Sequence, residues 1–180
     1  MKYFVIMMLL SFSASAYAVN CKVHKVYCKI VKLQPRIDKA RAMEISNLVY
    51  HNAKKLGINP MISLAILNQE NRFRDVNTYH ISRDVKEVCN GKSCIKTIVE
   101  KHTVADMGIA QINIRTAVDY GFDIQRLYDH DLKYALDCHF AILKSKISMC
   151  KKLGNDAWSC YHSKTPEYRL RYIELVSRYL

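Results

Sequence analysis

Asn59-Pro60-Met61-Ile62-Ser63-Leu64-Ala65-Ile66-Leu67-Asn68-Gln69-Glu70-Asn71-Arg72-Phe73 is the stretch whose reading decides the fold. It reads as a buried helix. Asn59 suits the N-cap, and Pro60 suits the first helical position, where a missing N–H and a fixed φ do no harm. Met61, Ile62, Leu64, Ala65, Ile66 and Leu67 make the segment apolar on most sides, as in a core helix. Glu70 lies in its last turn. There a carboxylate meets the negative end of the helix dipole and poor solvation, and both raise its pKa. A carboxyl group protonated near neutral pH is what a general acid requires. Taken alone, the stretch favours a solvated helix-end Glu, so the rest of the chain has to decide.

The segments on either side continue the helical theme. Ile45, Leu48, Val49, Ala53 and Leu56 recur at three- and four-residue spacing, which predicts a helix over 36–56 closed by Gly57. Residues 79–98 differ. They are rich in β-branched residues, with Cys89-Asn90-Gly91-Lys92-Ser93-Cys94 at the middle. Asn-Gly between extended segments predicts an inserted β-hairpin or ordered flap, with an irregular surface loop as the alternative. Helix returns over 108–120. A longer helix follows, capped by Asp129 and running to about Cys150, with Leu132, Ala135, Leu136, Phe140, Leu143 and Ile147 on its buried face. Residues 155–161 predict a short helical turn. Thr165-Pro166 opens a last helix with Tyr168, Tyr172, Leu175, Val176 and Tyr179 on one stripe. The class is mainly α.

The 180 residues suffice for one domain with a real core, and Gly and Pro are scarce at 5 and 3. Residues 1–18 read as a signal peptide: Lys2, then an apolar run to Leu10, then Ala16-Tyr17-Ala18 as a cleavage site. The apolar run is too short to span a membrane comfortably, so no stable span is expected after cleavage. Residues 19–35 form a basic, Cys-containing arm of unassigned secondary structure, ahead of a single domain over 36–180.

The formal net charge is +12. That charge predicts an anionic polymer or surface as partner. An exported chain rarely meets nucleic acid, so cell-wall glycan or an anionic membrane face is the better expectation. Cys21, Cys28, Cys89, Cys94, Cys138, Cys150 and Cys160 read as a disulfide framework with one thiol left over. Cys89 and Cys94 flank the hairpin turn, and one bridge is expected among Cys138, Cys150 and Cys160. No Cys-x2-Cys pair or His-x3-His pattern supports zinc, and no metal or cofactor is expected.

Three segments carry chemistry: Gln69-Glu70-Asn71-Arg72-Phe73, Met107-Gly108-Ile109-Ala110-Gln111-Ile112-Asn113, and Trp158-Ser159-Cys160-Tyr161-His162-Ser163-Lys164-Thr165-Pro166. In this order, over residues 36–180, they resemble the lytic transglycosylase domain of the lysozyme superfamily. The likeness is strongest to the small exported members that accompany secretion, pilus and conjugation machines.

The resemblance implies a lysozyme-like helical domain, a periplasmic location and peptidoglycan glycan strands as substrate. It also makes components of such a machine possible partners. Glu70 matches the catalytic acid/base. Gly108 and Gln111 match a Gly-x-x-Gln motif, whose Gly permits close approach and whose Gln amide contacts sugar or the acid. Tyr161 matches the Tyr that hydrogen-bonds near the catalytic Glu. Asn71 stands where many members have Ser, Ala110 where many have Met, and His162 where Asn is common. The expected reaction cleaves the bond between N-acetylmuramic acid and N-acetylglucosamine and leaves a 1,6-anhydromuramyl end. A hydrolytic muramidase drawing on Asp75, Asp84, Glu87 or Asp106, and a non-catalytic glycan-binding adapter, are the alternatives.

Overall fold

The computed structural model describes residues 24–90 and 93–180, and over 80–89 and 93–105 it describes the backbone path and its pairing. The leader expected at residues 1–18, and Cys21, lie outside the described residues. Seven α-helices, one 3-10 helix and three strands follow one another among the described residues. The chain is mainly helical with a small three-stranded sheet.

Helix α1, Lys25–Leu33, occupies what the sequence suggested was an arm. It buries Val26, Tyr27 and Ile30 against α2, Lys39–Leu56, and α3, Pro60–Asn71. Asp38 caps α2 by accepting from the Arg41 N–H, and Gly57 ends it at φ 67°. Ile45, Val49 and Ala53 are buried as the spacing requires.

Helix α3 begins as predicted, with the Asn59 side chain accepting from the Met61 N–H and Pro60 at the first position. Its all-round apolar character has a packing cause. Leu64 and Leu67 face the larger core with Ile45, Met107, Leu136 and Phe140. Ala65 and Ile66 face a second, smaller core with Leu143, Trp158, Tyr172 and Val176. A helix wedged between two cores needs no polar stripe.

The insertion is a long hairpin. Strand β1, Thr78–Asn90, pairs antiparallel with β2, Ser93–Met107, and the Cα atoms of Cys89 and Cys94 are directly opposite. Asp106 and Met107 then pair with the two-residue strand β3, Ile112–Asn113.

Two expectations need correction here. The helix predicted over 108–120 is a turn and a strand up to Asn113, because Gly108 and Gln111 have φ of 65° and 47°, outside the helical region. Only α4, Ile114–Asp119, is helical, capped by Asn113. A short α5, Ile124–Tyr128, follows. The cap of the long helix α6, Leu132–Met149, is Asp131 and not Asp129, since His130 at φ 62° breaks the chain between α5 and α6. The buried face of α6 is as predicted from Leu132 to Leu143, while Ile147 is only partly buried, against the smaller core.

Cys150 is bonded to Cys160, which ties the end of α6 to the 3-10 helix Lys151–Tyr161. Cys28 is also disulfide-bonded. Among the described residues Cys138 is the free thiol, and burial pushes its pKa up to about 11. In the last helix, α7, Pro166–Ser177, Tyr172 and Val176 are buried, while Tyr168 faces outward. Among the described residues no helix is long and apolar enough to cross a membrane.

Candidate active site

Glu70 stands one residue from the end of α3. The helix stops because Arg72 turns left-handed at φ 52°, followed by Phe73 at φ 58°. Two successive non-Gly residues in that region cost on the order of 1–3 kcal/mol each. Burial of the Phe73 ring in the larger core offsets that cost. Asn71 closes the same turn, donating from Nδ2 to the Arg74 carbonyl at 3.0 Å. It thus shapes the backbone just after Glu70 and does not line the cleft in front of it.

That cleft has a volume of about 410 Å³ and is bounded by Glu70, Asp106, Gln111, Asn113, Lys146, Tyr161 and His162, among others. Its helical wall is apolar behind the first layer. Burial pushes the Glu70 pKa up to about 7; the Tyr172 hydrogen bond pulls the other way, and the negative charge of Asp106 adds to the rise. The Tyr172 hydroxyl donates to Glu70 Oε1 at 2.5 Å. Tyr172 is itself held by stacking on His162, with ring centroids 4.7 Å apart and planes 9° apart. The hydroxyl bonded directly to Glu70 is thus that of Tyr172, with Tyr161 also lining the cleft. In the sequence Tyr172 is marked only by its place on the buried stripe of the last helix.

Tyr161 lines the cleft close enough to Glu70 and Asp106 for their charges to add to the effect of burial in raising its pKa. Its hydroxyl lies 3.0 Å from His139 Nδ1 and 3.4 Å from the Ala110 carbonyl. His139 is fully buried on α6, and its Nε2 lies 3.0 Å from Ser63 Oγ on α3. Burial drives the His139 pKa down to about 3, so the ring is neutral. His139 escaped sequence reading although its position among Leu136, Phe140 and Leu143 marks it as a polar residue on a buried face.

The opposite wall is the root of the hairpin and the turn after it. Gln111 donates both amide hydrogens, to the Val76 carbonyl at 2.9 Å and the Gly108 carbonyl at 2.8 Å. Its Oε1 accepts from Thr78 Oγ1 at 3.0 Å. Gln111 thus borders the cleft but spends its donors on the wall, leaving only the carbonyl oxygen for a ligand.

Gly108 lies behind the wall. Its N–H donates to Asn77 Oδ1 at 3.1 Å, and a Cβ built there would stand 3.2 Å from Asp75 Oδ1. Asp75 cannot retreat easily, being bonded to Arg41 at 2.7 Å and His130 at 3.2 Å. The close approach expected of Gly108 is thus to Asp75. Asp106, at the end of β2, accepts from Asn113 Nδ2 at 3.1 Å and shares the cleft with Glu70.

Of the residues singled out from sequence, the fold brings Glu70, Gln111 and Tyr161 to one cleft and leaves Asn71 and Gly108 in support behind it. Among the described residues no group of three or more His, Cys, Asp or Glu side chains could hold a metal ion. Compared with protein-family models, curated proteins and solved structures, the chain matches none of them.

Proposed function

We propose that this protein is a peptidoglycan lytic transglycosylase with a lysozyme-like helical domain. The observation that carries the reading is a single carboxyl raised to about 7 on the wall of a cleft. A group that is half protonated near neutrality can give a proton and take one back. Glu70 protonates the glycosidic oxygen between N-acetylmuramic acid and N-acetylglucosamine, and the C1–O bond breaks with departure of the alcohol. The resulting Glu70 carboxylate takes the proton of the muramyl C6 hydroxyl as O6 bonds to C1. The ring closes as a 1,6-anhydro end and Glu70 is again protonated. The nucleophile is tethered to the reacting sugar, which gives it a large effective molarity over water.

Lys146 on the cleft and the net charge of +12 suit a polymer bearing carboxylates. The leader-like residues 1–18 and the Cys150–Cys160 bridge favour an exported, periplasmic enzyme. Local wall opening for a secretion, pilus or conjugation machine rests on the sequence likeness alone.

A second reading has one specific observation in its favour. Asp106 shares the cleft with Glu70, and a second carboxylate is what a hydrolytic muramidase needs to hold water or form an ester. Clearing of purified sacculi by the wild type, Glu70→Gln and Asp106→Asn tests both. The transglycosylase reading expects Glu70→Gln to be inert and Asp106→Asn to keep substantial activity. Loss of activity in both promotes the hydrolase. A wild-type protein that binds sacculi without clearing them is an adapter.

A further inference from the structure

The cleft described above does not account for the buried hydrogen-bond chain behind it, Ser63–His139–Tyr161. Ser63 and His139 are both fully buried, and the two bonds that join the chain are each 3.0 Å. His139 meets the Tyr161 ring edge-on, with centroids 5.1 Å apart. A polar row of this kind sits at the join of α3, α6 and the 3-10 helix, where apolar side chains would pack at lower desolvation cost.

The chain has a direction. A neutral imidazole has one N–H, and it can lie on either nitrogen. With the proton on Nδ1, the Ser63 hydroxyl donates to Nε2 and Nδ1–H donates to the Tyr161 oxygen. The Tyr161 O–H then points to the Ala110 carbonyl or into the cleft. All three protons have acceptors among the contacts just given. With the proton on Nε2, that N–H donates to Ser63 and Tyr161 must give its own proton to Nδ1. The Ser63 proton then loses its acceptor, and the tyrosine becomes a pure acceptor towards the cleft. Burying an unsatisfied hydroxyl proton is the costlier arrangement.

The geometry points to His139 as a positioning residue: with Ser63 behind it, its Nδ1–H holds Tyr161 as a hydrogen-bond donor to the sugar or carboxylate reacting in the cleft. The Ala110 carbonyl, at 3.4 Å, is a weak resting partner, so the Tyr161 proton turns to a better acceptor at little cost. This assignment rests on the reading of Glu70 as a glycan-cleaving acid. His139 touches neither substrate nor Glu70 and acts only through Tyr161.

A double-mutant cycle distinguishes positioning from mere core packing. In the wild-type background His139→Gln, which keeps a polar group near Ser63 but removes the donor to Tyr161, should lower kcat about tenfold with KM little changed. In a Tyr161→Phe background the same substitution should cost less than about twofold, because the hydroxyl it serves is gone. An equal loss in both backgrounds, or none in either, overturns the assignment. If His139→Gln does not fold, Ser63→Ala serves in its place, with a smaller loss in the wild-type background and none in Tyr161→Phe. The tautomer is read separately by nitrogen NMR of the full chain, whether or not it cleaves glycan. A proton on Nδ1 supports the assignment, and one on Nε2 overturns it. A protein with that tautomer and no turnover would refute the enzymatic reading and leave the tautomer result standing.

Discussion

The two walls of the cleft are held by different physics. On the helical wall Glu70 sits over the smaller core of Ile66, Leu143, Trp158 and Tyr172, and burial sets its chemistry. On the hairpin-root wall the shape comes from hydrogen bonds made by polar side chains, with Gln111 and Asn77 bonded to backbone and Asn113 to the Asp106 side chain. Each wall offers a carboxylate. The contrast assigns the proton to Glu70, while Asp106 acts on it as a negative charge.

The largest effect that would break this contrast is on rate. Glu70→Gln keeps size and most hydrogen bonding but removes the transferable proton, so clearing of sacculi should fall by about 10²–10⁴ or more with the fold intact. A folded variant clearing at the wild-type rate removes Glu70 from the chemistry.

The same substitution should stabilise the protein, and the pH dependence has a definite sign. The Glu70 pKa is raised from 4.5 to about 7 on folding, so between these values the folded state binds the extra proton. The native state is favoured fully below the unfolded value, and that advantage is lost as pH rises through the folded one. Above about pH 8, Glu70→Gln should therefore be more stable than wild type by about 3 kcal/mol, and below about pH 4 the two should converge. Urea unfolding at the two ends of the range checks this. A constant difference across pH would mean that Glu70 is not desolvated.

The hairpin-root wall is tested by glycine. Gly108→Ala meets both a positive φ and Asp75 at 3.2 Å and should cost about 1–3 kcal/mol in thermal unfolding. Gly57→Ala has a similar φ of 67° with nothing within 4 Å and should cost only about 1 kcal/mol. Equal costs would mean that the turn is not packed against Asp75.

The smallest effects are shifts in the pH–rate profile, and they have opposite signs on the two walls. Tyr172→Phe removes the bond that lowers the Glu70 pKa, so the alkaline limb of kcat/KM should move up. Asp106→Asn removes a charge that raises it, so the limb should move down. Shifts in the same direction would remove the electrostatic distinction between the walls.

The helical wall was the more legible in sequence because its signals are local. Asn59-Pro60 starts α3, Gly57 ends α2, and the spacing from Leu132 to Leu143 marks the face of α6. The hairpin was legible from Asn90-Gly91 and the β-branched residues around it. The turn over 108–111 was not, because its left-handed Gln111 is stabilised by Val76 and Thr78, more than thirty residues away. For the same reason the hydrogen bond from Tyr172 to Glu70 is not legible in the sequence. Tyr172 reaches the carboxyl only through the docking of α7 on α3, which no spacing within either helix records.

The reaction itself is tested most directly by digesting purified sacculi in heavy-oxygen water and weighing the muropeptides. If Glu70 works alone with the substrate's own C6 hydroxyl, the products end in 1,6-anhydromuramic acid, are lighter by one water and carry no label. Labelled reducing ends as the main product would contradict the transglycosylase and make Asp106 the second catalytic carboxylate.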